Sequence, residues 1–189
     1  SLHVAVPGEA RVANRCFVIG PDGKVITSYD KIHMFDVDLA GGESYRESKT
    51  FRPGDQARLA KTDVGNIGIA ICYDVRFPQL FRDYAKAGAK ILSIPAAFTR
   101  TTGQAHWHNL LRSRAIENGC FVIAAAQCGE HPGDRKTFGH SLIIDPWGQV
   151  LADGGTDPGF ITAEIDLGRV EEIRRMVPSL HNDRAYKPC

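Results

Sequence analysis

Three apolar runs set the fold class of this chain: NIGIAICY (66–73), KILSIPAAF (90–98) and CFVIAAAQ (120–127). Each has the length of a strand and too few polar positions to face water, so each reads as buried. The segment between the first two reads as a helix over 78–87. Pro78 suits its first turn and Gly88 stops it. AHWHNLLRSRAIENG (105–119), between the second and third, reads as an amphipathic helix ended by Gly119. Strands that alternate with helices predict an α/β protein.

The two ends of the chain pair locally instead. RCFVIG (15–20) and KVITSYDKIH (24–33) flank Pro21-Asp22-Gly23, where Pro presets φ and Gly permits a positive one, so a hairpin is expected. HSLIIDPWGQVLADGG (140–155) reads as a second hairpin. Both follow Ile-x-Pro-x-Gly-x-Val-aliphatic, which fits internal pseudo-symmetry or two turns meeting one requirement. The sheet is therefore expected to be mixed. A strand-like segment opens at Leu2, FITAEID (160–166) reads as a late strand, and LGRVEEIRRMV (167–177) as a last helix. Residues 36–65, polar and Gly-rich, read as one long loop, and the polar tail from Pro178 as surface chain.

A chain of 189 residues suits one compact domain, here 1–189. The net charge of +1 argues against nucleic-acid and acidic-membrane partners, which need a basic excess. Five cysteines, an odd number at irregular spacing, exclude a complete disulfide framework and point to a reducing, cytoplasmic compartment. No run has the apolar length of a membrane span. The chain opens Ser1-Leu2-His3-Val4 without a Met, so an upstream portion is expected.

Two residues stand out chemically. Cys72 lies where a strand gives way to a helix, a position that exposes a nucleophile on a tight turn. A helix N-terminus and a nearby cation there would favour the reactive thiolate. Lys31 sits in YDKIHMFD, an alternating run with Tyr29, His33 and Phe35. A lysine so placed either snorkels or supports a developing anion. Glu43, Glu47, Asp36, Asp38 and Asp74, taken singly, read as loop or capping residues.

YDKIHMFDVD, YRES…RPGD, GIAICYDVRFPQL, PAAFT, AHWHNLLRSRAIENG and GHSLIIDPWG follow one another in this order. Across essentially the whole chain, these six segments closely resemble the nitrilase, or carbon–nitrogen hydrolase, superfamily. The nearest likeness is to its Nit branch of amidases, which includes ω-amidases and deaminated-glutathione amidases. The resemblance implies a four-layer α-β-β-α sandwich that forms homodimers or higher homo-oligomers. It implies hydrolysis of a small-molecule amide with no cofactor and no metal. It also implies a Glu–Lys–Cys set, with Cys72 as nucleophile, Lys31 as its lysine and Glu47 as a second glutamate beside the lysine. The Tyr73 N–H would complete an oxyanion hole with Lys31. Arg76 and Phe77 would shape the pocket floor, and Ala97, Phe98 and Thr99 its rim.

The chain departs from the pattern twice. The family's general-base glutamate lies well upstream of the lysine, yet only 30 residues precede Lys31 here. Their one glutamate, Glu9, sits in a Pro-Gly turn and is not matched to the base, so the family's N-terminal portion is expected to be missing. His108 stands where many relatives carry glutamate. His106 and His108, two apart on a helix, face different ways, so no metal site is expected from the pair, and both read as packing or structural hydrogen-bond residues. The rival readings are a non-catalytic binding module of the same fold, a Cys72–His140 hydrolase, and a zinc site on Cys120, Cys128 and His131.

Overall fold

The computed structural model describes residues 1–39, 42–187 and 189. Strands β1 (Leu2–Val4), β2 (Ala13–Ile19) and β3 (Val25–Asp30) form an antiparallel sheet in that order. β4 (Asp36–Asp38) and β5 (Ser44–Arg46) pair as a small ribbon, and a 3₁₀ turn follows over Glu47–Lys49. Next come β6 (Leu59–Thr62) and β7 (Gly65–Ile69), a second 3₁₀ turn over Cys72–Arg76, and α1 (Pro78–Lys86). β8 (Ile91–Ser93), α2 (Arg100–Asn118) and β9 (Phe121–Ala124) continue the alternation. β10 (Cys128–His131) and β11 (Arg135–Phe138) form a ribbon. β12 (Leu142–Ile144), β13 (Val150–Asp153) and α3 (Gly168–Met176) complete the fold.

The larger sheet has six strands in the order β13-β12-β9-β8-β7-β6. The three apolar runs supply its parallel centre, β7-β8-β9, and hairpins close it antiparallel on both sides. The expected α/β class with mixed pairing is therefore present. The two hairpins with the shared pattern also share a turn. Each returns through one bond across its loop, Gly20 N–H to Lys24 O at 2.8 Å and Asp145 N–H to Gln149 O at 2.9 Å. Each also carries a register irregularity at its isoleucine, between Val18 and Ile19 and between Ile143 and Ile144.

Three expectations need correction. Residues 36–65 are not one loop: they hold β4, β5, β6 and the start of β7. Those strands are three to five residues long, too short to print an alternation. Residues 160–166 are not a strand. They alternate between exposed and half-buried as extended chain does, but among the described residues no strand pairs with them. The helix expected from 105 begins at Arg100. Thr101, Thr102 and Gly103 are poor helix formers and hide the start, which is set by the Thr99 hydroxyl accepting the Thr102 N–H at 3.4 Å.

Packing follows the pleat. Leu92, Val122, Ala124, Leu142 and Ile144 point to the face covered by α1 and α2, against Phe81, Tyr84, Trp107 and Leu111. Gly68 lies on that face too, and a Cβ there would come 2.7 Å from the Tyr84 ring. Residues of the opposite parity make two further clusters. Ile91 and Phe121 pack on Val170 of α3. Ile69, Ile71 and Ala60 pack on Tyr29 of β3, which joins the six-stranded sheet to the three-stranded one.

Candidate active site

The junction between the two sheets holds the candidate nucleophile. Beyond β7 the chain runs extended, with the Ala70 N–H bonded to Ser93 O at 3.0 Å and the Cys72 N–H to Pro95 O at 2.9 Å. It then turns at Cys72, whose φ of 51° lies in the left-handed region. That conformation costs a non-glycine residue about 1–2 kcal/mol. The 3₁₀ turn that Cys72 opens leads into α1 at Pro78, so the expected strand–turn–helix mounting is present.

One carboxylate fixes this turn. Asp74 is fully buried. It accepts the Ile71 N–H at 2.8 Å, the Tyr29 hydroxyl at 2.7 Å and the His33 N–H at 3.0 Å, and it lies 2.7 Å from His33 Nδ1. Tyr29 and His33 bracket Lys31, while Ile71 and Asp74 bracket Cys72. The carboxylate thus ties the lysine segment to the cysteine turn. Sequence reasoning takes Asp74 as a capping residue. It does cap its own turn through Ile71, but its partners 41 and 45 residues upstream leave no mark in local spacing.

Lys31 follows the end of β3 and is almost fully buried. Its N–H reaches Asn14 O at 2.9 Å, and its carbonyl accepts the Gly54 N–H at 2.8 Å. Its ammonium lies 2.5 Å from Glu47 Oε2, which also accepts the Phe35 N–H at 2.6 Å. A buried ammonium needs such a partner. Glu47 therefore fixes the position of the Lys31 ammonium.

Lys31, Glu47, Cys72 and Tyr73 line one cavity of about 640 Å³, and Ala97, Phe98 and Thr99 form part of its wall. Burial pushes the Cys72 thiol above the ordinary cysteine range. The Lys31 ammonium and a backbone hydrogen bond from Ala97 oppose the rise, while the charges of Glu47 and Asp74 add to it. The arrangement presents a thiol beside a fixed cation, ready for a carbonyl carbon once a base removes the proton.

Arg76 and Phe77 are not brought to this wall. The Arg76 guanidinium stands 5.3 Å from the Phe98 ring and 5.8 Å from the Tyr73 ring, and bonds His106 Nδ1 at 3.2 Å. Phe77 stacks on His33 at 3.5 Å. Both support the cavity from behind its lining. His140 is bonded to Asp153 rather than aimed at the cavity, so the Cys72–His140 pairing is not formed. Cys120 lies against Arg174 at 3.1 Å and His131 against Thr137 at 2.8 Å. Among the described residues they do not converge with Cys128 on a metal position. Two cavity residues that sequence reasoning misses are Arg46 and Arg135. They come from β5 and β11, short ribbons with no apolar periodicity to announce them.

Comparison with known proteins fits this geometry. The family model described as carbon–nitrogen hydrolase matches residues 3–175. Deaminated glutathione amidase of Synechocystis is 47% identical over 180 residues, covering 94% of this chain and 66% of that protein. Omega-amidase NIT2 of Mus musculus is 40% identical over 183 residues, covering 96% of this chain and 66% of that protein. The crystal structure of the C. elegans NitFhit protein superposes with a TM-score of 0.90 at 42% identity, covering 96% of this chain and 45% of that one. The chain thus spans between 54% and 66% of the length of the curated relatives it matches. Matched along nearly its whole length, and folded around a buried lysine and a strained cysteine, this chain belongs to the carbon–nitrogen hydrolase family of the nitrilase superfamily, close to the Nit amidases.

Proposed function

We propose that this chain carries the thiol centre of an amidohydrolase that converts a small carboxamide into a carboxylic acid and ammonia. The observation that carries the reading is the convergence of Cys72, Lys31 and Glu47 on one cavity. An amide carbonyl is a poor electrophile, and a thiolate divides its hydrolysis into two easier steps. The Cys72 sulfur bonds to the carbonyl carbon, and the carbonyl oxygen becomes an oxyanion. The Lys31 ammonium and the Tyr73 N–H hold that oxyanion; one such donor is worth about 3 kcal/mol. The carbon–nitrogen bond then breaks, and the nitrogen leaves as ammonia with a proton taken from the base. Water cleaves the remaining thioester, releasing the acid and restoring the thiol. The base is a role for a glutamate that no residue of this sequence matches; Glu47 is committed to Lys31.

The same reading gives the chain ω-amidase-like or deaminated-glutathione-amidase-like selectivity, on the strength of its similarity to those proteins. It also assigns one domain over 1–189, a four-layer α-β-β-α arrangement and a homodimer or higher homo-oligomer. No cofactor, nucleic acid or membrane enters the reaction. A reducing cytoplasm suits a centre that works as a free thiol. The second reading is a non-catalytic binding module, favoured by the unmatched base.

Intact mass and ammonia release test both. Iodoacetamide should modify Cys72, and α-ketoglutaramate, a small ω-amide, should yield ammonia or a mass adduct that disappears in Cys72→Ala. Ammonia release surviving Cys72→Ala would end the thiol mechanism. A reactive Cys72 with no turnover, from this chain or from one extended upstream, would favour the binding module.

A further inference from the structure

We infer that His108, His140 and Asp153 form a binding site for one divalent transition-metal ion of the zinc class. The inference is independent of the amidase reading, since none of the three lines the Cys72 cavity.

Three separate elements bring the ligands together. His108 projects from α2, Asp153 ends β13, and His140 precedes β12 in a left-handed conformation with φ 55°. His108 Nε2 lies 3.0 Å and His140 Nδ1 3.1 Å from one Asp153 oxygen, Oδ2. All three ligand atoms fall within 4.8 Å of one another. A tetrahedral ion with bonds of about 2.0–2.1 Å places its ligands about 3.3 Å apart, so both histidine–aspartate separations already suit it. The histidine nitrogens lie within 4.8 Å of each other, so the pair must close further, with the half-exposed His108 turning inward as the ion binds.

The surroundings hold the ligands in place. Phe138 stacks on the His140 ring at 4.4 Å and meets the His108 ring edge-on at 6.0 Å. The Trp107 indole N–H donates to the His140 carbonyl at 2.8 Å, and the Gly155 N–H donates to Asp153 Oδ1 at 2.9 Å. Two imidazoles and one carboxylate, partly open to solvent, form a donor set suited to Zn²⁺, Co²⁺ or Ni²⁺, with water completing the shell. The ion would take the place of the hydrogen bonds between the rings and the carboxylate and would pin α2 to the β12–β13 hairpin.

The test titrates the whole protein with Zn²⁺ alone by calorimetry and with Co²⁺ alone by visible absorption. Parallel titrations use His108→Gln and Asp153→Asn, with folding checked by circular dichroism. The expected result is one equivalent bound, cobalt d–d bands without a thiolate charge-transfer band, and a melting point raised by about 5 °C at a hundredfold excess over Kd. His108→Gln, a change on a partly exposed helix face, should weaken binding at least tenfold and remove the rise. No binding by the parent protein, a thiolate band, or unchanged affinity in folded His108→Gln would overturn the site and leave a hydrogen-bonded triad.

Discussion

Cys72 occupies a backbone conformation that glycine accepts and cysteine resists. Cys72→Ala and Cys72→Gly should both lose iodoacetamide modification at position 72, read by peptide mass against the other free cysteines. The glycine variant should nevertheless be more stable than the alanine variant by about 1 kcal/mol, measured by urea unfolding, because only alanine retains the left-handed strain. The pH dependence has a definite sign. Burial raises the Cys72 thiol, so its alkylation should climb with pH to a midpoint above that of a small thiol in solution. Lys31→Met removes the cation that opposes the rise, so the midpoint should move higher still. The same shift means that the native state keeps a proton which the unfolded chain releases. This contribution to stability is therefore whole below the ordinary thiol range and is lost as pH rises through the native value. Cys72 and Lys31 were legible in the sequence because a chemical group at a strand end is a local feature. Asp74 was legible only as a cap, because the strand and histidine it grips lie far upstream.

Turns and strands differed in how much they revealed. Pro21-Asp22-Gly23 and Pro146-Trp147-Gly148 each state their geometry within three residues, and both hairpins formed as read. β4, β5 and β6 state almost nothing, because three or four residues cannot establish a period and their partners alone make them strands. α2 lost its first turn to weak helix formers held by a side-chain cap. Contacts between elements carry their own predictions. Tyr29→Phe removes a 2.7 Å bond to a buried carboxylate and should cost about 2 kcal/mol of stability. It should also speed Cys72 alkylation, because a loosened seam admits water to a thiol whose burial raises it; an unchanged rate would detach Asp74 from the placement of the thiol. Gly68→Ala pushes a methyl group against the Tyr84 ring on α1. Such overpacking should destabilise by about 1–3 kcal/mol, read from the denaturation midpoint.

At the scale of the molecule, stability resides in the helix-covered face and the seam between the sheets. Trp107→Phe, at a fully buried side chain whose N–H is bonded, should lower the melting point by several degrees. Phe160→Ser, at a residue 92% exposed, should change it little. The mixed α/β sheet could be read from the order of the apolar runs. That Tyr29 packs on Ile69 and Ile71 could not be read from the strands themselves, because each strand prints only its own burial and never its opposite number. That meeting has a consequence for how the protein comes into being. The ammonium arrives on one sheet and the sulfur on the other, and the carboxylate that joins them is satisfied only when both are docked. A partly folded chain therefore carries an ordinary cysteine and an ordinary lysine. Docking then lifts the thiol above that ordinary range, so a fall in its alkylation near neutral pH can serve as a built-in reporter of whether a given molecule has finished folding.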